Sequence, residues 1–367
     1  MNSRENTIKL FTHNSPERIG LWDFWWPETI KNWIEEGYPY TEDENGNKIP
    51  KDPIDFFDYD IVSIGGSYDS LPKMGFSEIT EDSTEWTVTK NGAGASFKYW
   101  KNKSGTPEHI AFEMNSPEIW EKEYKPHMTF NEKRVNLEHI KEAKKTAEEK
   151  EKYKVYLGIS IFEWLRSSLG DVCMLENMLL CPEWIKDITD SILSMHKSHY
   201  EYMFKNTGYP DCAWITDDLG YSNGLFASPK ILENLIFKPY KELINWFRKQ
   251  NNIPSILHSC GNITEALPLI HEVGYVAIHP LEVKAGCDLL KESKKYKDKL
   301  AFIGGMDVRI CETNDKDLVQ KEVSRLCNEM KSIGAMWIFG TDHSVSPRIK
   351  YDTYKYMLDA YRENMYY

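Results

Sequence analysis

Short apolar runs alternate with long amphipathic stretches over the second half of the chain. Of all features of the sequence, this alternation most restricts the folds that the chain can adopt. Each run is four to seven residues long. The six runs cover residues 155–161, 213–216, 255–258, 276–279, 300–304 and 335–340. Runs of this length are typical of strands buried on both faces, as in a parallel sheet. Between and after the runs, the pattern predicts helices near 184–205, 229–250, 263–273, 285–297, 315–333 and 351–364.

Two further candidate strands lie in the first half of the chain. Residues 19–23 and 60–64 are apolar segments that are followed by turn or loop residues. Eight strands with helices between them form a (β/α)8 barrel, and an open doubly wound sheet is the alternative. We therefore expect an α/β fold, with residues 1–367 forming a single (β/α)8 TIM barrel domain.

Residues 77–100 interrupt this pattern. Polar residues alternate with β-branched or aromatic ones on both sides of Asn91-Gly92, a dipeptide typical of hairpin turns. The pattern predicts a β-hairpin inserted between strands 2 and 3, and with its linker the insertion is expected to span 75–130. A Lys- and Glu-rich helix is predicted near 131–152, with a solvated outer face.

The composition argues against several classes of protein. The 367 residues include 45 Lys or Arg and 57 Asp or Glu, for a net charge of −12. A general nucleic-acid binder needs clustered Lys and Arg to neutralise phosphates. No apolar run approaches the ~18–20 residues that span a bilayer, and the polar start lacks the apolar core of a signal peptide. With seven cysteines in no dense framework, we expect a cytoplasmic protein with reduced thiols that binds neither nucleic acid nor membrane.

Polar residues follow directly after the predicted strands. They are Asp217, Asp218, His258, Cys260, His279, Glu282, Asp307, Asp342 and His343. In a (β/α)8 barrel the carboxyl ends of the strands face one cavity, where active sites are built. We therefore expect these residues, remote in sequence, to meet at that end of the barrel.

His258 and Cys260 are a candidate metal-binding pair. Residues i and i+2 at a strand end point to the same face, and imidazole nitrogen and thiolate sulfur are the usual zinc ligands. A catalytic zinc has three protein ligands and an open position, so a third ligand is needed. The candidates are His343, Glu282, Asp217 and Asp218. The alternative is structural, with His258 a hydrogen-bonded core residue and Cys260 a small buried hydrophobe.

Two other features have both a chemical and a structural interpretation. Asp217-Asp218 is able to hold a metal, orient a substrate hydroxyl or act as acid or base, or else to cap the following turn. The aromatic cluster around Trp25 and Trp26 is suited to stacking on an aromatic ligand, or to packing at a strand end. The sequence contains no nucleophile elbow, Walker loop or dinucleotide fingerprint after a strand.

These motifs resemble the uroporphyrinogen decarboxylase superfamily, and more narrowly its branch of cobalamin-dependent (corrinoid) methyltransferases. The segments that carry the resemblance are residues 16–23, 214–218, 257–262, 278–282, 303–307 and 340–347. The resemblance covers most of residues 15–365 and implies a (β/α)8 barrel and an enzyme similar to O-demethylase methyltransferase I components.

The resemblance also implies a zinc site. In the thiol methyltransferases of this branch, zinc is held by a His-x-Cys pair and by a Cys near the last strand. His258 and Cys260 match the pair, and His343 stands at the third position. Imidazole in place of thiolate leaves the metal more positive and a better Lewis acid, which favours a substrate bound through a neutral or phenolic oxygen over a thiol. The decarboxylases carry an Arg-rich N-terminal motif, whereas this chain has only Arg18 there, which argues against porphyrin decarboxylation.

The leading hypothesis is therefore a zinc-dependent methyltransferase that demethylates a small methoxylated, aromatic substrate. The acceptor would be the Co(I) corrinoid of a separate corrinoid protein, since the chain has no cobalamin motif of its own. The expected metal ligands are His258, Cys260 and His343. The expected catalytic residues are Asp217, Asp218 and Glu282. The expected substrate-binding residues are Trp25, Trp26 and Asp307, and Asp218, Asp307 and Asp342 are expected to hold imidazole N–H groups.

Three other functions remain open at this point. The first is methyl transfer from methylcobalamin to a thiol or tetrahydrofolate. The second is a metal-free decarboxylase acting on a small acid, similar to uroporphyrinogen decarboxylase. The third is a barrel that only binds a corrinoid partner. A homodimer is common in the superfamily, but no sequence feature establishes one here.

Overall fold

Eight short apolar strands form one parallel sheet that is almost closed into a barrel in the computed structural model, which describes residues 1–102 and 105–367. The strands, numbered 1 to 8 along the chain, are Gly20–Leu21, Ile61–Ser63, Tyr153–Ile159, Cys212–Thr216, Ser255–His258, Ala277–His279, Ala301–Ile303 and Trp337–Phe339. Strands 2 to 8 pair in sequence order, and strand 1 pairs with strand 8. The expected (β/α)8 barrel is confirmed, and this order excludes the doubly wound sheet.

Polar contacts join strands 1 and 2, where the ring of strand pairs ends. The amide of Asp60 donates to the carbonyl of Leu21 at 2.8 Å, and the amide of Leu21 donates to the Asp60 carboxylate at 2.7 Å. The guanidinium of Arg18 donates to both oxygens of the same carboxylate, at 2.8 and 2.5 Å. Charge-assisted bonds of this kind close the barrel at this seam.

The N-terminal end of the barrel is filled by apolar side chains. Leu10 and Phe11, from the helix Ser3–Phe11, belong to the same buried cluster as alternate residues of the strands, such as Val155 and Trp214. Because alternate strand residues point to the same face, this cluster is the interior of the barrel. The carboxyl end is therefore where a site has room to form.

Apart from the helix Ser3–Phe11 at the N-terminal end, the longer helices cover the outside of the barrel. The α-helices are Ser3–Phe11, Pro27–Glu35, Pro53–Phe57, Pro117–Ile119, Leu137–Glu149, Phe162–Leu169, Asp171–Leu180, Pro182–Thr207, Pro229–Leu232, Lys238–Asn251, Leu267–Val273, Leu289–Tyr296, Val308–Glu312, Lys316–Ile333 and Tyr351–Asn364. The π-helical turns are Trp120–Tyr124 and Glu233–Phe237. The 3-10 turns are Lys125–His127, Glu132–Arg134, Thr264–Ala266 and Val283–Ala285. Among the described residues, no helix combines the length and apolar character that crossing a bilayer requires.

The helices predicted from the sequence are present, together with several that were not predicted. Two of the unpredicted helices, Phe162–Leu169 and Asp171–Leu180, are called the cavity helices. Gly170 separates them with a φ of +76°, a left-handed conformation that favours glycine. They follow strand 3 and lie beside the carboxyl end of the barrel.

The insertion between strands 2 and 3 is larger than the single hairpin expected. It forms a four-stranded antiparallel sheet, called the inserted sheet, of Ser77–Asp82, Trp86–Asn91, Ala95–Trp100 and Glu108–Phe112. The hairpin at Asn91 is confirmed, since its side chain accepts from the amides of Ala93 and Ala95 at 2.9 and 3.1 Å. One further strand on each side widens it, because an isolated hairpin buries too little surface to be stable. Two-stranded ladders also join Tyr40–Glu42 to Lys48–Pro50, and Gly220–Tyr221 to Gly224–Leu225.

Candidate metal centre and cavity

Two histidines meet at the carboxyl ends of strands 5 and 6. His258 and His279 are register partners in the parallel ladder, so their side chains leave the same face of the sheet. Their ring centroids lie 4.8 Å apart, and their Nδ1 atoms are hydrogen-bonded at 2.6 Å. This bond orients the ring of His258 and leaves its Nε2 atom available on the opposite edge.

The Nε2 atom of His258 faces two other potential metal ligands. It lies 3.5 Å from the Cys260 sulfur and 3.6 Å from a carboxylate oxygen of Asp218. Ligand atoms of Asp218, His258 and Cys260, together called the metal group, all lie within 4.8 Å of one another. A tetrahedral zinc with bonds of about 2.0 to 2.3 Å separates its ligand atoms by about 3.4 to 3.5 Å. The metal group therefore fits a zinc ion with three protein ligands and one open position.

Close backbone contact between two loops brings the metal group together. The amide of Cys260 donates to Asp218 at 2.8 Å, and the amide of Asp217 donates to the carbonyl of His258 at 2.9 Å. A Cβ atom on Gly261 would lie 2.3 Å from the backbone of Gly220. Gly261 also has a φ of +80°, so only glycine allows the loops after strands 4 and 5 to approach this closely.

Burial and the neighbouring carboxylates set the charge of the metal group. Burial raises the pKa of the Cys260 thiol, and the charges of Asp218 and Glu282 raise it further. Burial also lowers the pKa of His258. A bound cation stabilises a thiolate instead, so metal binding at this group releases a proton.

His343 lies close to the metal group but outside it. In the part of the chain that the structure describes, the clustered ligand atoms belong to Asp218, His258 and Cys260 alone. The charge of His343 nevertheless contributes to lowering the pKa of His258. The half-buried His343 therefore reaches the same end of the barrel, and its role as a zinc ligand stays a prediction.

Asp217 is fully buried and serves the protein backbone. Its carboxylate accepts from the amides of Phe162 and Glu163 at 2.8 and 2.9 Å and from the hydroxyl of Tyr240. It thereby satisfies the free amides at the start of the first cavity helix. Asp217 therefore caps a helix that follows strand 3, and not the turn directly after it that the structural alternative expected. Its catalytic role stays a prediction.

Glu282 supports the loop that carries Cys260. Its carboxylate accepts from the amide of Gly261 at 2.7 Å and pairs with Lys284 at 3.3 Å. Glu282 therefore lies next to the metal group, where it orders the backbone. Its expected catalytic role stays a prediction.

Asp307 and Asp342 bind helix starts and backbone amides. Asp307 accepts from the amide of Arg309 at 2.9 Å and from its guanidinium at 2.7 Å. Asp342 accepts from the amides of Val283 and Val308 at 2.7 and 2.8 Å. The expectation that these carboxylates hold imidazole N–H groups is wrong for His258, whose Nδ1 atom is held by His279. Substrate binding by Asp307 stays a prediction.

Trp22, Phe24 and Trp214 are aromatic residues beside the histidines. The ring of Trp22 lies 5.0 Å from that of His279, and the ring of Phe24 lies 6.3 Å from that of His258. Trp25 packs on Tyr59 at 5.9 Å, and Trp26 is the residue before the helix Pro27–Glu35. Because residues i and i+2 share a face, the sequence could have indicated Trp22 and Phe24 as the pair that lies beside the histidines. Ligand stacking by Trp25 and Trp26 stays a prediction.

A cavity of 1040 Å³ adjoins the metal group. One wall is the last strand of the inserted sheet, including Ile110 and Phe112, and another is formed by the two cavity helices. Asp218 lines the cavity and belongs to the metal group. The cavity and the metal group therefore share the side chain of Asp218.

Glu163 is a titratable cavity residue that the sequence reasoning missed. Burial raises its pKa to about 7; Arg166 opposes this shift, while the charges of Asp218 and Asp217 add to it. Its carboxylate accepts from Arg166 at 2.5 Å. Glu163 follows strand 3, so the rule of polar residues after strand ends would have found it.

The comparisons with known proteins agree with the fold. Residues 172–364, more than half of the chain, match the family described as Uroporphyrinogen decarboxylase (URO-D). This match contains the motifs at 214–218, 257–262, 278–282, 303–307 and 340–347, but not the one at 16–23. No curated protein matches the sequence.

A solved structure described as a "methyltransferase from Methanosarcina mazei" is similar to this chain over its whole length. The TM-score is 0.68 at 13% sequence identity, and the alignment covers 99% of each chain. At this identity the likeness concerns the fold. Together with the match over residues 172–364, the barrel places the chain in the uroporphyrinogen decarboxylase family.

Proposed function

We propose that this protein is a zinc-dependent methyltransferase. It removes the methyl group from a small methoxylated, aromatic substrate and passes it to the Co(I) corrinoid of a partner protein. The observation that carries the proposal is the metal group, Asp218, His258 and Cys260, at the edge of a 1040 Å³ cavity. The fold shared with a methyltransferase from Methanosarcina mazei is consistent with it.

The ligand set supports zinc, because one imidazole, one thiol and one carboxylate are all common zinc ligands. In this proposal Asp218 is the third ligand in place of His343, since its oxygen already lies 3.6 Å from His258 Nε2. Bound zinc would act as a Lewis acid toward the ether oxygen, stabilising the negative charge that develops as the methyl group leaves.

The neighbouring residues of the chain position this chemistry. His279 fixes the ring of His258 through the Nδ1 bond, as the hydrogen-bond partners of metal-binding histidines do. Glu163, with a pKa raised to about 7, is suited to give a proton to the departing oxygen, because a general acid works best when its pKa is near the ambient pH. The apolar side chains of Phe112, Leu169 and Val172 provide a wall for a ring.

The porphyrin decarboxylase alternative is not favoured by the contacts of Arg18. Its guanidinium is bound to Asp60 at the barrel seam, with a side chain only 16% exposed. Arg18 therefore stabilises the barrel seam and is unavailable to bind substrate carboxylates.

The test is methyl transfer by the purified full-length chain from 2-methoxyphenol to free cob(I)alamin, followed by the absorbance of methylcobalamin. We expect turnover that depends on zinc and falls by at least ~100-fold in His258→Ala. Full turnover after exhaustive chelation, with metal analysis showing no bound ion, would contradict the proposal. Methylcobalamin consumed with a thiol, but never formed from 2-methoxyphenol, would favour the reverse reaction instead.

A further inference from the structure

The charges that line the cavity are strongly unequal. Its acidic side chains are Glu163, Asp171, Glu176 and Asp218, and Arg166 is the one Lys or Arg among the described lining residues. His109 also lines the cavity, and burial lowers its pKa, so it is neutral at pH 7.

Arg166 is not available to an anionic ligand. Its guanidinium donates to Glu163 at 2.5 Å and to Asp171 at 2.9 Å, and it lies 4.5 Å from the ring of Phe226. Two carboxylates and an aromatic face therefore occupy this cation. The Arg166 side chain is only 18% exposed.

Lys284, whose charge acts on the Cys260 thiol, is also paired. Lys284 contacts Glu282 at 3.3 Å. A zinc ion with two positive charges would be balanced by the carboxylate of Asp218 and the thiolate of Cys260. Even with Glu163 protonated, Asp171 and Glu176 outnumber Arg166, so the cavity has a net negative charge. Glu176 is exposed and forms no ion pair among the described residues.

The geometry points to a cavity that selects its substrate by charge, and this inference rests on the proposed function. The cavity accepts uncharged or cationic methyl donors and rejects carboxylated ones, and Asp171 and Glu176 are the specificity-determining residues. Like charges a few ångströms apart at the edge of a protein repel each other, and at low ionic strength we expect this repulsion to weaken the binding of an anion by about tenfold.

Three probes with the same ring and different charge test the inference. They are 2-methoxybenzylamine, a cation; 2-methoxybenzyl alcohol, which is neutral; and 2-methoxybenzoate, an anion. Binding of each to the zinc-loaded full-length chain is measured by calorimetry at pH 7 and low ionic strength. We expect the benzoate to bind at least about tenfold more weakly than the alcohol, and the amine at least as tightly as the alcohol.

Variants assign the effect to the two residues. Glu176→Gln, at an exposed position, is expected to reduce the discrimination between alcohol and benzoate about threefold, and Asp171→Asn to reduce it further by freeing Arg166. Glu201→Gln, on the helix Pro182–Thr207 and outside the cavity lining, is the matched control and leaves the ratio unchanged. Because Glu176 is exposed, its variant tests the inference even where Asp171→Asn is unstable.

The outcomes separate this inference from the proposed function. The charge selectivity is overturned if the benzoate binds as tightly as the alcohol or more tightly. It is also overturned if the ratio of alcohol to benzoate affinity is unchanged in both Glu176→Gln and Asp171→Asn, or if none of the three probes binds. If the chain discriminates between alcohol and benzoate but transfers no methyl group, the charge selectivity holds and the proposed reaction fails. If it transfers a methyl group but does not discriminate, the proposed reaction holds and the charge selectivity fails.

Discussion

Three donor atoms, from the end of strand 5 and from the loops after strands 4 and 5, form the metal group, and each is held by a different kind of contact. His279 bonds to His258, the amide of Cys260 bonds to Asp218, and Glu282 bonds to the amide next to Cys260. A metal site needs such supporting contacts because they hold its ligands in the binding geometry before the ion arrives. At the residue scale, the identity of the third ligand is the most direct question.

Asp218→Ala is expected to lower zinc affinity by about 100-fold or more, because it removes a ligand atom. His343→Ala should lower it by no more than about threefold, since His343 lies outside the metal group. Competition with a chromophoric zinc chelator measures both variants. A larger loss in His343→Ala than in Asp218→Ala would make His343 the third ligand.

His279→Ala is expected to reduce zinc affinity by about 10- to 100-fold while the chain stays folded, because the ring of His258 loses its orienting bond. His279→Asn, whose amide can still bond to the Nδ1 atom, should recover part of the affinity. Circular dichroism controls for the fold. Equal zinc affinity in all three proteins would exclude the positioning role of His279.

At the element scale, the inserted sheet and the cavity helices build the cavity that the barrel lacks by itself. They meet where a Cβ atom on Gly170 would lie 2.4 Å from the ring of Phe112. The loops after strands 4 and 5 meet in the same way, at Gly220 and Gly261. Both contacts require a residue without a side chain, because packed interiors leave no room for an added methyl group.

Gly261→Ala is expected to lower the free energy of unfolding by about 3 kcal/mol or more, because backbone strain adds to a clash with the Gly220 backbone. Gly46→Ala is the matched control. Its φ of +79° is similar, but nothing lies within 4 Å of the added atom, so we expect a loss of about 1 kcal/mol. Urea unfolding measures the free energy of unfolding of both variants. Equal losses of stability in Gly261→Ala and Gly46→Ala would mean that the contact between the two loops contributes little.

At the scale of the whole molecule, buried carboxyl groups connect the ends of the barrel strands. Asp23 is fully buried and accepts from the hydroxyl of Thr341 at 2.7 Å and the hydroxyl of Tyr354 at 3.1 Å. It thus joins strand 1 to the segment after strand 8. Burial raises its pKa to about 7, although its hydrogen bonds oppose the shift.

The raised pKa of Asp23 gives stability a defined pH dependence. The folded state holds a proton on this carboxyl between the unfolded pKa near 4 and the folded pKa of about 7, so its stabilising contribution is present at low pH and is lost as the pH rises through 7. Relative to wild type, Asp23→Asn should therefore become more stable as the pH rises from 4 to 7, by at most ~1.4 kcal/mol per pH unit.

Urea unfolding in the presence of a chelator, at pH 5, 6, 7 and 8, measures this difference. A difference between Asp23→Asn and wild type that stays constant over this range would show that Asp23 does not titrate in it. Asp298→Asn, at a carboxyl outside this buried network, is the control and should keep the wild-type dependence.

The sequence alone determined the barrel, the end that holds the site, and the pairing of His258 with Cys260. These depend on local rules: apolar runs of strand length, polar residues at strand ends, and the shared face of residues i and i+2. The tertiary structure alone decided that Asp218 joins the pair, that His279 orients it, and that Glu163 and Arg166 line a cavity beneath the inserted sheet. The physical reason is that these contacts join segments far apart in the chain, and their geometry depends on strand register and on the close approach of two loops at Gly220 and Gly261.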